Sequence, residues 1–149
     1  GRYAFGPGFM PDQVDGLSQG LSRHYQRNIH RTPAMVTRLK RTRHDCSRFF
    51  ETFDVLLSPV LRHSPPELGY LSPEVPFDTL IDRLNGYASF TPYFNTAGGP
   101  AIAMPMGRTP ENLPLSVHMA AGHGHESLLL ALAFEVESER DSRSQSIRN

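Results

Sequence analysis

The sequence predicts an α/β fold with about three strands and about four helices. Three observations carry this expectation. The apolar runs at residues 55–57, 101–106 and 115–120 are short and bounded by Pro, Gly or Asn, as strands are. Three longer segments repeat apolar residues at three- and four-residue spacing, the mark of a helix with one buried face, and a fourth is apolar nearly all round. Between a helical segment and a strand stands Gly98-Gly99-Pro100, where glycine permits a turn and proline withholds a donor at the strand entrance.

Along the chain, residues 1–11 hold Gly6, Pro7, Gly8 and Pro11 and form an irregular lead-in. Residues 12–29 predict a helix capped by Asp12, with Val14, Leu17, Leu21 and Tyr25 on its apolar side and Gly16 and Gly20 weakening it. Thr32-Pro33 opens a second helix, a capping hydroxyl followed by proline in the first turn. Its apolar face runs through Met35, Val36, Leu39, Cys46, Phe49, Phe50 and Phe53, opposite Arg38, Lys40, Arg41, Arg43 and Arg48. At residues 54–59 the period changes, and Val55-Leu56-Leu57 reads as a strand covered on both faces and closed by Pro59.

Pro65, Pro66, Pro73 and Pro76 then exclude a continuous helix over residues 60–76 and leave a surface loop, long for a passive connection. Pro76-Phe77-Asp78 starts a third helix on Phe77, Leu80, Ile81, Leu84, Tyr87 and Ala88, bending at Pro92 and ending near Asn95. The paired strands at 101–106 and 115–120 follow, joined by a polar loop. Gly122-His123-Gly124-His125 forms a turn. Residues 127–136 are apolar nearly all round and predict a last helix buried on several sides. Residues 138–149 are polar and predict disorder.

Fifteen basic and fifteen acidic side chains balance, so global charge favours neither nucleic acid nor an acidic ligand. Cys46 is the only cysteine, which excludes an internal disulfide and fits a reducing, cytoplasmic setting. No apolar run approaches the ~20 residues that span a bilayer. The chain opens on Gly1 without an initiator methionine, as a fragment or processed product would, and no signal-peptide pattern stands at its start.

Three clusters bear weighing for chemistry. His118, His123 and His125 beside Glu126 have donor atoms for zinc, but no cysteine pair or second cluster supports them, and the expectation is no metal site. His44-Asp45-Cys46 offers base, acid and thiol in a row. Successive helical residues point about 100° apart, so these three cannot serve one substrate atom, and Cys46 reads as a buried small residue. Residues 23–48 hold eight Arg or Lys and one acid, Asp45. Their aromatic residues fall on the apolar faces instead of interleaving as stacking platforms, so nucleic-acid binding is not expected.

The order Asn95-x-x-Gly98-x-Pro100-Ala101-Ile102-x-x-Pro105-x-Gly107, with Leu113-Pro114 opening the next strand, resembles the carboxy-terminal end of the amidase signature family. A Gly-containing turn and a helix with Glu126, Leu128-Leu129-Leu130 and Glu135 follow as in that family. Upstream, Phe53-Asp54-Val55-Leu56-Leu57-Ser58-Pro59 is similar to the strand that precedes the segment, and Leu68-Gly69-Tyr70-Leu71 to a family connection. The likeness is clearest over residues 49–139, within a carboxy-terminal amidase unit of residues 1–139 followed by the polar tail 140–149. Ser116 and His118 depart from it, standing where Gly and Gln are frequent.

The resemblance implies a mixed-sheet fold of which this chain is the carboxy-terminal part, not a complete domain. It also implies amide hydrolysis by a Lys-Ser-Ser triad without cofactor. That triad's lysine strand and Gly/Ser-rich segment are not found here. Lys40, the only lysine, falls in a basic helix, and no serine adjoins Gly98-Gly99. No residue is therefore assigned to catalysis, to metal or to substrate, although by resemblance Asn95 and Gly98-Gly99 come near the substrate pocket. As caps, those residues need no ligand. The expected partners are a small-molecule amide in the complete enzyme and the amino-terminal part of the same fold, with no nucleic acid and no membrane. Two other function classes remain: a transamidase subunit, and a non-catalytic binding module or inactive remnant.

Overall fold

A computed structural model describes residue 10 and residues 14–146, with side chains as far as Arg140. The elements are α1 (Gly16–Arg27), a 3₁₀ turn (Ile29–Arg31), α2 (Thr32–Phe49), β1 (Val55–Pro59), α3 (Phe77–Tyr87), α4 (Pro92–Ala97), β2 (Ala101–Arg108), β3 (Pro114–Ala121) and α5 (Glu126–Ser146). The fold is α/β, with three strands and, among the described residues, four substantial helices plus the short α4. Apart from Met10, the lead-in of residues 1–11 lies outside the described residues, as does Asp12.

The sheet has the order β1-β3-β2. Leu57 lies opposite Met119 and Ser58 opposite His118 on one side of β3, and Ile102 opposite Met119 on the other. Both pairings are antiparallel, so these three strands do not themselves carry the mixed character the resemblance implies for the whole fold. β2 bulges between Pro105 and Gly107. Because β2 is an outer strand here, Pro105 interrupts no ladder on its free side.

Helices cover both faces of the sheet. On one, Leu129 and Ala133 of α5 pack on Met104, Met119 and Ala121, with Val55, Ile102, Val117 and Leu132 at the margin. On the other, Cys46 of α2 and Phe94 and Ala97 of α4 close over Ala120, with Phe50 and Leu56 alongside. Alternation along each strand sends successive residues to opposite layers. β1 shows this directly, with Val55 in the first cluster and Leu56 in the second. Leu57 is 63% exposed, however, so β1 is covered on both faces only at its start.

Several expectations about helix ends are corrected. α1 is capped by Asp15, whose carboxylate accepts from the Ser18 N–H at 3.0 Å. That bond and a second from the Ser18 hydroxyl hold the Asp15 carboxyl below its usual range. α2 has no side-chain cap. Arg31 is already right-handed helical as it leaves the 3₁₀ turn, so Thr32 becomes the first helical residue and its hydroxyl is buried without a partner. The predicted third helix does not bend at Pro92 but breaks: α3 ends at Tyr87 and α4 begins at Pro92. α5 continues to Ser146, through the segment expected to be disordered, and residues 147–149 lie outside the described residues.

Gly20 is a contact residue as well as a weak helix former. A Cβ there would overlap the ring of Phe77, so α3 rests on α1 through this glycine. The loop of residues 60–76 folds back on α3. Arg62 donates its N–H to the Tyr87 carbonyl at 3.1 Å, and Arg83 donates to the Tyr70 carbonyl at 2.7 Å while covering the Tyr70 ring. Among the described residues no helix is long and apolar enough to cross a membrane.

Candidate functional site

The most developed polar constellation lies on the α4 side of the sheet. His118 is 5% exposed and is the buried polar residue of the core. Its Nδ1 shares a hydrogen bond of 3.1 Å with the Ser58 hydroxyl across the β1–β3 pairing. The ring lies 5.3 Å from that of Phe94, tilted by 55°. Strand periodicity explains the meeting: His118 and Ala120 share a face, α4 covers both, and register brings Ser58 opposite His118. Burial pushes the His118 imidazole below its ordinary pKa, because the charged form would lose its water.

Past His118, coverage by α4 thins. Ser58 and Ser116 are half-buried, and Ala103 and Pro105 are exposed. The result is a shelf of small side chains with two hydroxyls and one imidazole at its inner edge. The opposite face of the same sheet end carries an apolar groove of about 510 Å³ lined by residues including Leu57, Pro59, Met106, Leu115 and Val117. The shelf can offer hydrogen bonds to a ligand, and the groove can take an apolar segment.

α4 positions this site through its ends. Gly98 adopts φ 74°, the left-handed conformation, and its N–H bonds to the Phe94 carbonyl at 2.8 Å. That cap turns the chain into β2 and holds Phe94 over His118. Asn95, read as a cap or a pocket residue, is exposed within α4, and Gly98 does the capping. His123 packs near Gly98, and its Nε2 is buried with no partner among the described residues.

The other sequence clusters disperse. Among the described residues no three His, Cys, Asp or Glu side chains gather into a set able to hold a metal ion. Cys46 is 1% exposed, and burial raises its thiol pKa. Asp45 reaches outward to Arg48 at 3.5 Å, and His44 is exposed. Thiol, acid and imidazole therefore do not converge. Tyr93 has a raised pKa, chiefly from burial and then from neighbouring Cys46 and Asp45. Sequence reasoning missed the Ser58–His118 pair, whose members are 60 residues apart and meet only through strand register.

Comparison with known proteins agrees with this architecture. A family model described as Amidase matches residues 10–130. The Mycobacterium tuberculosis protein named "Putative amidase AmiC" is 42% identical over 140 residues, covering 94% of this chain and 29% of that protein. A glutamyl-tRNA(Gln) amidotransferase subunit of Alkaliphilus metalliredigens is 33% identical over 105 residues, covering 67% of this chain and 19% of that protein. The solved structure of 6-aminohexanoate cyclic dimer hydrolase superimposes with a TM-score of 0.77 at 25% identity, over 93% of this chain and 30% of that one. This chain thus spans under a third of the length of these relatives. With the family model matched across β1, β2, β3 and the start of α5, the chain belongs to the amidase family.

Proposed function

We propose that this chain is the carboxy-terminal part of an amidase that cleaves carboxylic amides to acid and ammonia or amine, and that the catalytic triad lies outside it. The observation that carries the reading is the alignment with the mycobacterial relative, which takes in 94% of this chain and 29% of that protein. By resemblance, a serine of the complete enzyme attacks the amide carbonyl, a lysine and a second serine move the proton, and backbone N–H groups hold the oxyanion. Lys40 is exposed on α2 and Gly98-Gly99 serve the end of α4, so neither supplies that machinery.

The surface supports the same reading. Leu21, Tyr25 and Ile29 of the first helical stretch and Val36 and Leu39 of α2 are each between 44% and 56% exposed. They follow one another at helical spacing, an apolar stripe of the kind that is normally covered. In this reading the amino-terminal part of the fold covers it, and the chain contributes packing and one wall of the substrate pocket. Assayed alone on a simple carboxylic amide, the chain should show no turnover. Mixed with an amino-terminal amidase part bearing the triad, it should restore hydrolysis. Measurable hydrolysis by the isolated chain overturns the proposal.

Similarity to the amidotransferase protein favours one second reading, in which the complete enzyme passes ammonia to an acylated acceptor. A product that requires both glutamine and the acceptor distinguishes transfer from simple hydrolysis.

A further inference from the structure

Residues 21–41 form an exposed arm whose first part, at Arg23, His24 and Arg27, lies beside Phe77 and Asp78 of α3. Apart from Asn28 and Thr32, every one of them is exposed. Between residues 16 and 44 there is no Asp or Glu, and Arg23, Arg27, Arg31, Arg38, Lys40, Arg41 and Arg43 carry seven positive charges. Among the described residues none of the seven forms an ion pair; the nearest such pair along the chain is Arg48 with Asp45.

Two of the seven, Arg31 and Arg38, share one cleft with His24. His24, Asn28, Arg31, Ala34, Met35 and Arg38 line a cavity of about 500 Å³ where α1 passes through the 3₁₀ turn into α2. His24 comes from α1, Asn28 and Arg31 from the 3₁₀ turn and its cap, and Ala34, Met35 and Arg38 from α2, so the cleft is formed where the two helices join. Asn28 is fixed there, its side-chain amide donating to the His24 carbonyl at 2.9 Å. Arg31 ends the 3₁₀ turn and Arg38 lies in α2, and both line the cleft. Ala34 and Met35 add apolar surface, and among the described residues no carboxylate lines it.

We propose that this cleft binds a small organic phosphate monoester through Arg31 and Arg38. A phosphate dianion matches two guanidinium forks, each able to donate two parallel hydrogen bonds, whereas a carboxylate uses only one. The cleft has the volume of a small-molecule site, and its apolar floor suits the organic part of the ester. The site is independent of the amide chemistry proposed above and stands or falls without it.

The test is a titration of the chain in chloride buffer with phenyl phosphate, followed by NMR of the Met35 methyl and His24 ring signals. Benzoate and a single-stranded DNA dodecamer serve as comparison ligands. Saturable one-to-one binding of phenyl phosphate is expected, about tenfold weaker in each of R31Q and R38Q and within about twofold of the parent in R41Q and R43Q. All four positions are exposed, and circular dichroism checks that the helices persist. Equal weakening by all four substitutions, benzoate binding as tight as phenyl phosphate, or absence of saturation overturns the proposal. DNA binding insensitive to Arg31 and Arg38, with no phenyl phosphate site, also overturns it.

Discussion

At the scale of single residues, His118 sets a pH dependence whose sign follows from its burial. Its pKa is lower in the folded chain than the ordinary value of about 6.5. Above that value His118 is neutral in both states and costs nothing. As pH falls below it, the unfolded chain takes up a proton that the folded chain resists, so stability declines until folded His118 itself titrates. Thermal midpoints measured from pH 7.5 down to pH 5 should fall, and H118Q should flatten that part of the profile. An unchanged slope in the variant would assign the acid sensitivity to another group. S58A, which leaves the buried Nδ1 without its partner, should cost about 1–3 kcal/mol at neutral pH in a denaturant melt. The sequence marks His118 as a departure from family usage and as one of three histidines weighed for metal, not as half of a buried pair. Nothing local in Ser58-Pro59 points to its partner, because the contact depends on how two distant strands align.

At the scale of elements, glycine decides two junctions. Gly98 ends α4 with φ 74°, and a Cβ there would have 3.5 Å to the His123 ring, so there is room for a methyl group. G98A therefore loses stability through the left-handed backbone alone, about 1–2 kcal/mol in a chemical melt. Gly20 is the opposite case. It lies within α1, and the obstacle to a side chain is the Phe77 ring. G20A should cost about 1–3 kcal/mol by overpacking. F77L should recover part of that loss in the double variant, and simple additivity would show that the two positions are uncoupled. Helix and strand identities were legible because period and proline placement are local. The caps were less so. Asp15 took the role assigned to Asp12, and Thr32 lost its capping role because the preceding turn was already helical.

At the scale of the whole molecule, the amphipathic patterns forecast more burial than this chain supplies. Residues 127–136 are apolar nearly all round, yet α5 buries Leu129 and Ala133 against the sheet and leaves Phe134 70% exposed. In α2, Cys46 is enclosed and Phe50 just past its end is half-buried, while Met35, Val36 and Leu39 face outward. A pattern records what a face was selected to meet, whether or not the partner is in the same segment, so periodicity reveals the face and not its cover. This gives the arm a prediction of its own. In the mixture with an amino-terminal amidase part, L39D places a charge at the α2 end of the exposed stripe and should lower the recovered amidase activity at least tenfold, since burying an unpaired carboxylate costs several kcal/mol. L68D, in the proline-rich loop at a fully exposed position, should leave recovery unchanged. Equal recovery by the two variants would mean that the arm's apolar side is not the face on which the rest of the enzyme rests.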